Sequence, residues 1–274
     1  MIDQLLVPGE ERGFTGKKFH CLLGAIAGDI IGSRHEFQKT KSADFELFTP
    51  ACTFTDDTVL TVAIADALIN GRDYGEVIRE YGLRYPDASY GGFFRKWLVS
   101  GGDAYNSFGN GSAMRVSPVG WAFNTEEDIL REAERSAAVT HNHPEGIKGA
   151  QTVAFAIFLA RKGSEKDDIK NEITKRFGYF LDQSLDEIRP GYKIDETCQG
   201  SVPQSIRAFL ESVDVEDTIR KAVSLGGDAD TLAATAGSIA EAYYAGVPEE
   251  IASEVRARLP DELWYVIERF NQIF

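Results

Sequence analysis

Two short stretches of the sequence are the most able to do chemistry: Thr55-Asp56-Asp57-Thr58 and, near the other end, Gly226-Gly227-Asp228-Ala229-Asp230-Thr231. Each is a turn leading into an apolar helical pattern. After the first, Leu60, Thr61, Ile64 and Leu68 share a face with Asp57, so Asp57 points inward. The plain explanation of either motif is a helix cap whose acidic first turn complements the helix dipole. One cap needs one carboxylate, however, and a second on the apolar stripe asks for a partner, because an unpaired buried carboxylate is costly.

If the two helix starts face each other, Asp56, Asp57, Asp228 and Asp230 meet with threonine hydroxyls beside them. Their mutual repulsion would be roughly 4 kcal/mol per close pair at intermediate dielectric. Two divalent cations would balance that charge. Every candidate ligand is oxygen and neither motif contains Cys or His, which favours Mg²⁺ or Mn²⁺ over Zn²⁺. Such a pair could position vicinal hydroxyls and activate a water.

Three further stretches bear on a site. In Gly24 to Glu36, glycines 24, 28 and 32 at four-residue spacing form a groove on a helix, most simply for tight packing. Glu36 stands seven residues beyond Asp29, so the two carboxylates share a side if the helix persists. Phe108-Gly109-Asn110-Gly111-Ser112-Ala113-Met114-Arg115 is a glycine-rich turn before a helix. It could offer backbone N–H groups, the Ser112 hydroxyl and a helix N-terminus to an anion such as a diphosphate. It matches neither the Walker nor the Rossmann pattern. Thr140-His141-Asn142-His143-Pro144 holds two of the four histidines; without a third nearby ligand these read as hydrogen-bonding loop histidines rather than a zinc pair.

The elements that must position these residues are helices. Helix-period patterns recur at about 19–33, 55–70, 73–84, 126–139, 145–162, 165–177, 202–211, 215–224, 230–245 and 248–271, and alternating strand patterns are scarce. Thr125 caps one start, Pro144 and Pro248 lie near others, and Gly71, Gly163 and Gly246 make stops. Residues 100–111 and 190–201 read as loops and as candidate site walls. No linker or repeat divides the chain. A polar N-terminal arm over 1–18 and one α-helical domain over 19–274 are expected.

Composition narrows the class. The chain has 274 residues and 43% hydrophobic content, enough for a sizeable core, with 43 acidic against 29 basic residues, a formal charge of -14. That balance disfavours nonspecific nucleic-acid binding. Three widely spaced cysteines, Cys21, Cys52 and Cys198, form neither a disulfide framework nor a zinc pattern and suit a cytoplasmic protein. The apolar run from Cys21 to Ile31 is broken by Asp29 and Arg34, short of the ~18 to 20 residues that span a bilayer.

Taken together and in this order, these stretches resemble the ADP-ribosylglycohydrolase family, typified by the dinitrogenase-reductase-activating glycohydrolases, over about His20 to Glu268. The resemblance implies an all-α orthogonal helical bundle with two Mg²⁺ or Mn²⁺ at the floor of an ADP-ribose cleft. It implies Thr55, Asp56, Asp57, Asp228, Asp230 and Thr231 as metal ligands, with Glu36, Asp57 and Asp230 as the catalytic carboxylates. Asn110, Gly111, Ser112, Met114 and His141 would contact the ligand. Tyr192 and Phe108 are candidates for the adenine shelf, and Cys198 to Ser201 for the acceptor end. The expected reaction releases ADP-ribose from a modified acceptor. A non-catalytic ADP-ribose-binding module and a metal-dependent diphosphate hydrolase remain as rivals.

Overall fold

The computed structural model describes residues 21–274, so the expected arm over 1–18 lies outside the described residues. The described chain is helical. Its elements are α1 (Leu23–Phe37), α2 (Asp56–Asn70), α3 (Tyr74–Arg84), α4 (Gly92–Ser100), α5 (Gly111–Met114), α6 (Ser117–Ala122), α7 (Glu126–Ala138) and α8 (Pro144–Arg161). Then come α9 (Lys166–Phe177), α10 (Leu185–Ile188), α11 (Cys198–Leu210), α12 (Val215–Val223), α13 (Ala229–Tyr244), α14 (Glu249–Arg258) and α15 (Asp261–Ile273). Among the described residues the pairing of extended backbone is limited to an antiparallel bridge between Gly109 and Thr197. The all-α expectation therefore holds.

The core is organised by α1 lying along α13. Small residues make this approach possible. A Cβ added at Gly28 would fall 2.2 Å from the Ala233 carbonyl oxygen, and one at Gly237 would fall 2.2 Å from that of Gly24. The two backbones thus touch directly, and α1 and α13 are buried almost all round. The first turn of α1 is capped from across this contact, the Leu23 N–H donating to Glu241 Oε1 of α13 at 3.1 Å. Helices such as α12 then cover the centre with a single stripe, burying Val215, Thr218, Ile219, Ala222 and Val223.

Local signals set many of the ends. Thr125 Oγ1 accepts from the Asp128 N–H at 3.2 Å and starts α7, His143 Nδ1 accepts from the Glu145 N–H at 3.1 Å before Pro144 opens α8, and Gly71 ends α2 in the left-handed region. Three expectations need correction. The pattern over 248–271 is two helices, α14 and α15, because Pro260 cannot continue the first and caps the second. α11 starts at Cys198, where the Thr197 side chain accepts from the Gly200 N–H, so the expected loop over 190–201 ends earlier and Pro203 lies inside the helix. α4 was not expected, although Phe94, Trp97 and Leu98 are buried at helical spacing.

A candidate metal centre and ligand cleft

The site is built around Asp29, in the middle of α1. Its buried carboxylate accepts four hydrogen bonds from the start of α2: Thr55 N–H (2.9 Å), Thr55 Oγ1 (2.6 Å), Thr58 N–H (3.1 Å) and Thr58 Oγ1. Thr55 Oγ1 in turn accepts from the Asp57 N–H at 3.4 Å. The N–H groups of Thr55, Asp57 and Thr58 at the start of α2 are thus satisfied by Asp29 and Thr55. Asp57 is left without a capping duty. At the other motif Asp228 occupies the cap position of α13 but its side chain makes no cap bond, while Asp230 Oδ1 accepts from the Thr231 N–H of the first turn at 3.0 Å. The cap explanation therefore leaves Asp57 and Asp228 unaccounted for.

The close packing of α1 on α13 brings the motifs together. A Cβ at Gly32 would meet the Asp230 Cα at 2.4 Å, and carboxylate oxygens of Asp29, Asp57 and Asp230 lie within 4.8 Å of one another. Asp57, 2% exposed, accepts from Thr231 Oγ1 through Oδ2; its Oδ1 is buried without a partner. None of the ion pairs among the described residues involves Asp29, Asp56, Asp57, Asp228 or Asp230. Burial, and then the neighbouring carboxylates, push the carboxyls of Asp56, Asp57 and Asp230 well above their ordinary range. An all-oxygen, acidic cluster with an orphaned acceptor and no basic partner fits a hard divalent cation.

The cluster opens into a cleft of about 360 Å³, within the roughly 300–1,000 Å³ of small-molecule sites. Asp56, Asp57, Asp228, Asp230 and Thr231 line it, and so does Glu36. α1 does persist to Phe37, so Glu36 stands on the same helix as Asp29. Burial, followed by Asp228, Glu196 and Asp29, pushes the half-buried Glu36 carboxyl up to about 7. Thr55 lies behind the cleft wall, its hydroxyl turned to Asp29.

The other wall is the glycine-rich turn. It is pinned to the start of α11 by the Asn110 N–H on the Glu196 carbonyl (2.8 Å) and the Cys198 N–H on the Phe108 carbonyl (2.9 Å). It is pinned to the carboxylates by Asn110 Nδ2, which donates to Asp228 Oδ2 at 2.7 Å. Gly111, Met114 and His141 line the cleft here. Ser112 does not: it is fully buried and its hydroxyl donates to the Gly146 carbonyl at 2.8 Å, so its expected role as an anion donor through Oγ is corrected. The turn also leads into a helix of only four residues, α5, too short to supply the expected helix-terminus field.

Two expectations about the cleft's ends are also corrected. Tyr192 packs behind Gly227 and donates to the Gly200 carbonyl, Phe108 rests on His143, and neither lines the cleft. Its aromatic lip is Phe93, 79% exposed, stacked on Tyr105 with ring centroids 6.2 Å apart. Cys198 is buried behind the turn, with Sγ 3.1 Å from the Gly109 carbonyl, and Glu196 lines the cleft instead. Tyr105 and Glu196 lie within the two loops read as site walls, whereas Phe93 carries no signal beyond an aromatic after two glycines.

A family model described as ADP-ribosylglycohydrolase matches residues 14–273. The chain is similar to ADP-ribosylhydrolase ARH3 of Homo sapiens, at 28% identity over 82% of this chain and 84% of that protein. It is also similar to ADP-ribosylarginine hydrolase Tri1 of Pseudomonas putida, at 27% identity over 86% of this chain and 73% of that protein. A solved ADP-ribosylglycohydrolase-related protein complex matches with a TM-score of 0.70 and 24% identity, covering 93% of this chain and 96% of that one; it bears on the fold alone.

Proposed function

Because the chain belongs to the ADP-ribosylglycohydrolase family of hydrolases, we propose that it cleaves the glycosidic bond between ADP-ribose and a modified acceptor and releases ADP-ribose. Two Mg²⁺ or Mn²⁺ would be held by Asp56, Asp57, Asp228 and Asp230, with Thr231 and, from behind, Thr55. The observation that carries this reading is the set of carboxylates from two distant motifs, without basic partners, at one end of a ligand-sized cleft. Bound there, the metals would supply positive charge and Lewis acidity beside the distal ribose.

The chain's own groups do the rest. Asn110 ties the turn to Asp228 and so fixes the cleft's width. The Gly109–Gly111 backbone and His141 face the diphosphate, and the Phe93–Tyr105 lip offers a stacking surface to the adenine. Glu36 accepts a proton from the attacking water; a bond forms between that water oxygen and the anomeric carbon, the bond to the acceptor breaks with the electron pair leaving on the acceptor, and the acceptor takes up the proton from Glu36. A carboxyl titrating near 7 suits that exchange. Among the described residues no helix is long and apolar enough to cross a membrane, and three free buried cysteines agree with the cytoplasm as the proposed compartment.

The test is product analysis. Peptides carrying ADP-ribose on arginine or on serine are incubated with the protein in Mg²⁺, Mn²⁺ or chelator and the products are separated. Free ADP-ribose in metal, and little in chelator, is expected. AMP would instead mark a diphosphate hydrolase, and binding of ADP-ribose without turnover on any substrate a non-catalytic module.

A further inference from the structure

Beside the glycine-rich turn, a chain of buried polar groups reaches His141 from behind, and two of its members, Arg115 and Thr140, have no part in the chemistry described above. Arg115 is 0% exposed and is the one Lys or Arg among the described residues that line the cleft. Its Nη2 donates to the Ser136 carbonyl (3.0 Å) and to Thr140 Oγ1 (2.9 Å). Thr140 is fully buried too, and its Oγ1 lies 2.7 Å from His141 Nδ1. His141 ends the chain at the cleft wall: a Cβ at Gly111 would be 3.1 Å from His141 Nε2.

Proton counting orients this chain. A guanidinium only donates, so the threonine oxygen must accept from Arg115. Its single proton then has one acceptor at hand, His141 Nδ1. Were Nδ1 itself protonated, it would donate to the same oxygen and leave the hydroxyl proton buried without an acceptor, the costly case. Nδ1 is therefore the acceptor, and a neutral imidazole carries its proton on Nε2. An imidazolium is disfavoured on the same count and by its surroundings, since burial and the Arg115 charge hold His141 far below its ordinary range.

We propose that Arg115 and Thr140 are positioning residues that lock His141 in the Nε2–H tautomer, so that this N–H is aimed at the Gly109–Gly111 turn as a donor to an anionic ligand oxygen, such as a phosphate of ADP-ribose. The ligand part of this inference rests on the function proposed above; the tautomer part does not.

Nitrogen-15 NMR of the imidazoles reads the tautomer directly in the full chain, with His141 assigned by loss of its signals in His141→Asn. In the wild type, Nε2 is expected as the protonated nitrogen and Nδ1 as the bare one. Thr140→Val removes the hydroxyl at constant shape; it should mix or reverse the tautomers and weaken ADP-ribose binding by about tenfold, one lost hydrogen bond's worth. Thr140→Ser should restore both. A wild-type spectrum with the proton on Nδ1, or a Thr140→Val spectrum identical to wild type, overturns the relay. An Nε2–H wild type that binds no ADP-ribose upholds the relay and overturns the proposed ligand.

Discussion

Thr231 and Asp57, 174 positions apart in the chain, are hydrogen-bonded across the floor of the cleft, Thr231 Oγ1 donating to Asp57 Oδ2 at 3.3 Å. The bond is long for a hydroxyl and a carboxylate, and the other Asp57 oxygen has no protein partner. Both facts suit a carboxylate whose main partner is a cation.

Metal-free stability should fall as pH rises. Asp56, Asp57 and Asp230 titrate well above their ordinary range in the folded protein, and in the unfolded chain at about 4. Above about pH 4 the folded state therefore holds more protons than the unfolded state, and stability declines with pH through that window. Thermal melts in chelator should show Tm dropping from pH 5 to pH 8. Saturating Mn²⁺ should flatten or reverse the slope, because the ion replaces the protons. A chelated protein that stabilises steadily towards pH 8 would contradict this.

Glu36→Gln keeps the volume of the side chain and removes its charge. Turnover should drop by ~10²-fold or more while ADP-ribose affinity changes little. Because the Glu36 carboxyl is pushed up to about 7, wild-type kcat/KM should fall as pH drops below that value, the protonated carboxyl being unable to accept a proton. Metal charge beside Asp228 would move this limb to lower pH. A wild-type profile without an acid limb, or a Gln variant as fast as wild type, would remove Glu36 from proton transfer.

Much of this arrangement was legible in the sequence, for physical reasons that also mark where legibility ends. Asp57 on an apolar stripe and the glycines of α1 each report a local demand, one for a buried partner and one for a close neighbour, and α13 meets both. Asp29 was visible as an acid in an apolar run on the side of Glu36, but its role was not, because its work is to accept bonds from Thr55 and Thr58, which no local spacing announces. Glu241 capping α1 is hidden for the same reason. Ser112 shows the converse error: a serine in a glycine-rich turn suggests an anion donor, but tertiary packing spends its hydroxyl on Gly146.

Gly32→Ala probes the link between packing and site. The added Cβ would sit 2.4 Å from the Asp230 Cα, so α1 and α13 must separate at the metal motif. Overpacking of this kind costs typically 1–3 kcal/mol, a Tm loss of several degrees in a chain of this size, at about 2–4 °C per kcal/mol. Mn²⁺ affinity should fall with it. A variant that loses stability and keeps full Mn²⁺ affinity would show that the helix contact does not set the site.

Phe93→Ala tests the aromatic lip. With Phe93 79% exposed, the fold should be unaffected. ADP-ribose affinity should fall by about tenfold, in keeping with ~1–3 kcal/mol for stacking a base on an aromatic ring. Ribose 5-phosphate, lacking the base, should bind both proteins equally; an equal loss for both ligands would place Phe93 elsewhere in the recognition.

The central claim is that two Asp motifs form one metal centre, and counting bound Mn²⁺ tests it most directly. Chelator-treated protein is titrated with Mn²⁺ while the free ion is followed by electron paramagnetic resonance, for wild type, Asp57→Asn, Asp230→Asn and the double variant. Two ions should bind the wild type. Each single variant should lose at least about tenfold in affinity, and the double variant should lose little beyond either, as groups of one unit do. A wild type that binds no Mn²⁺, or variants that bind as wild type does, would contradict the shared centre.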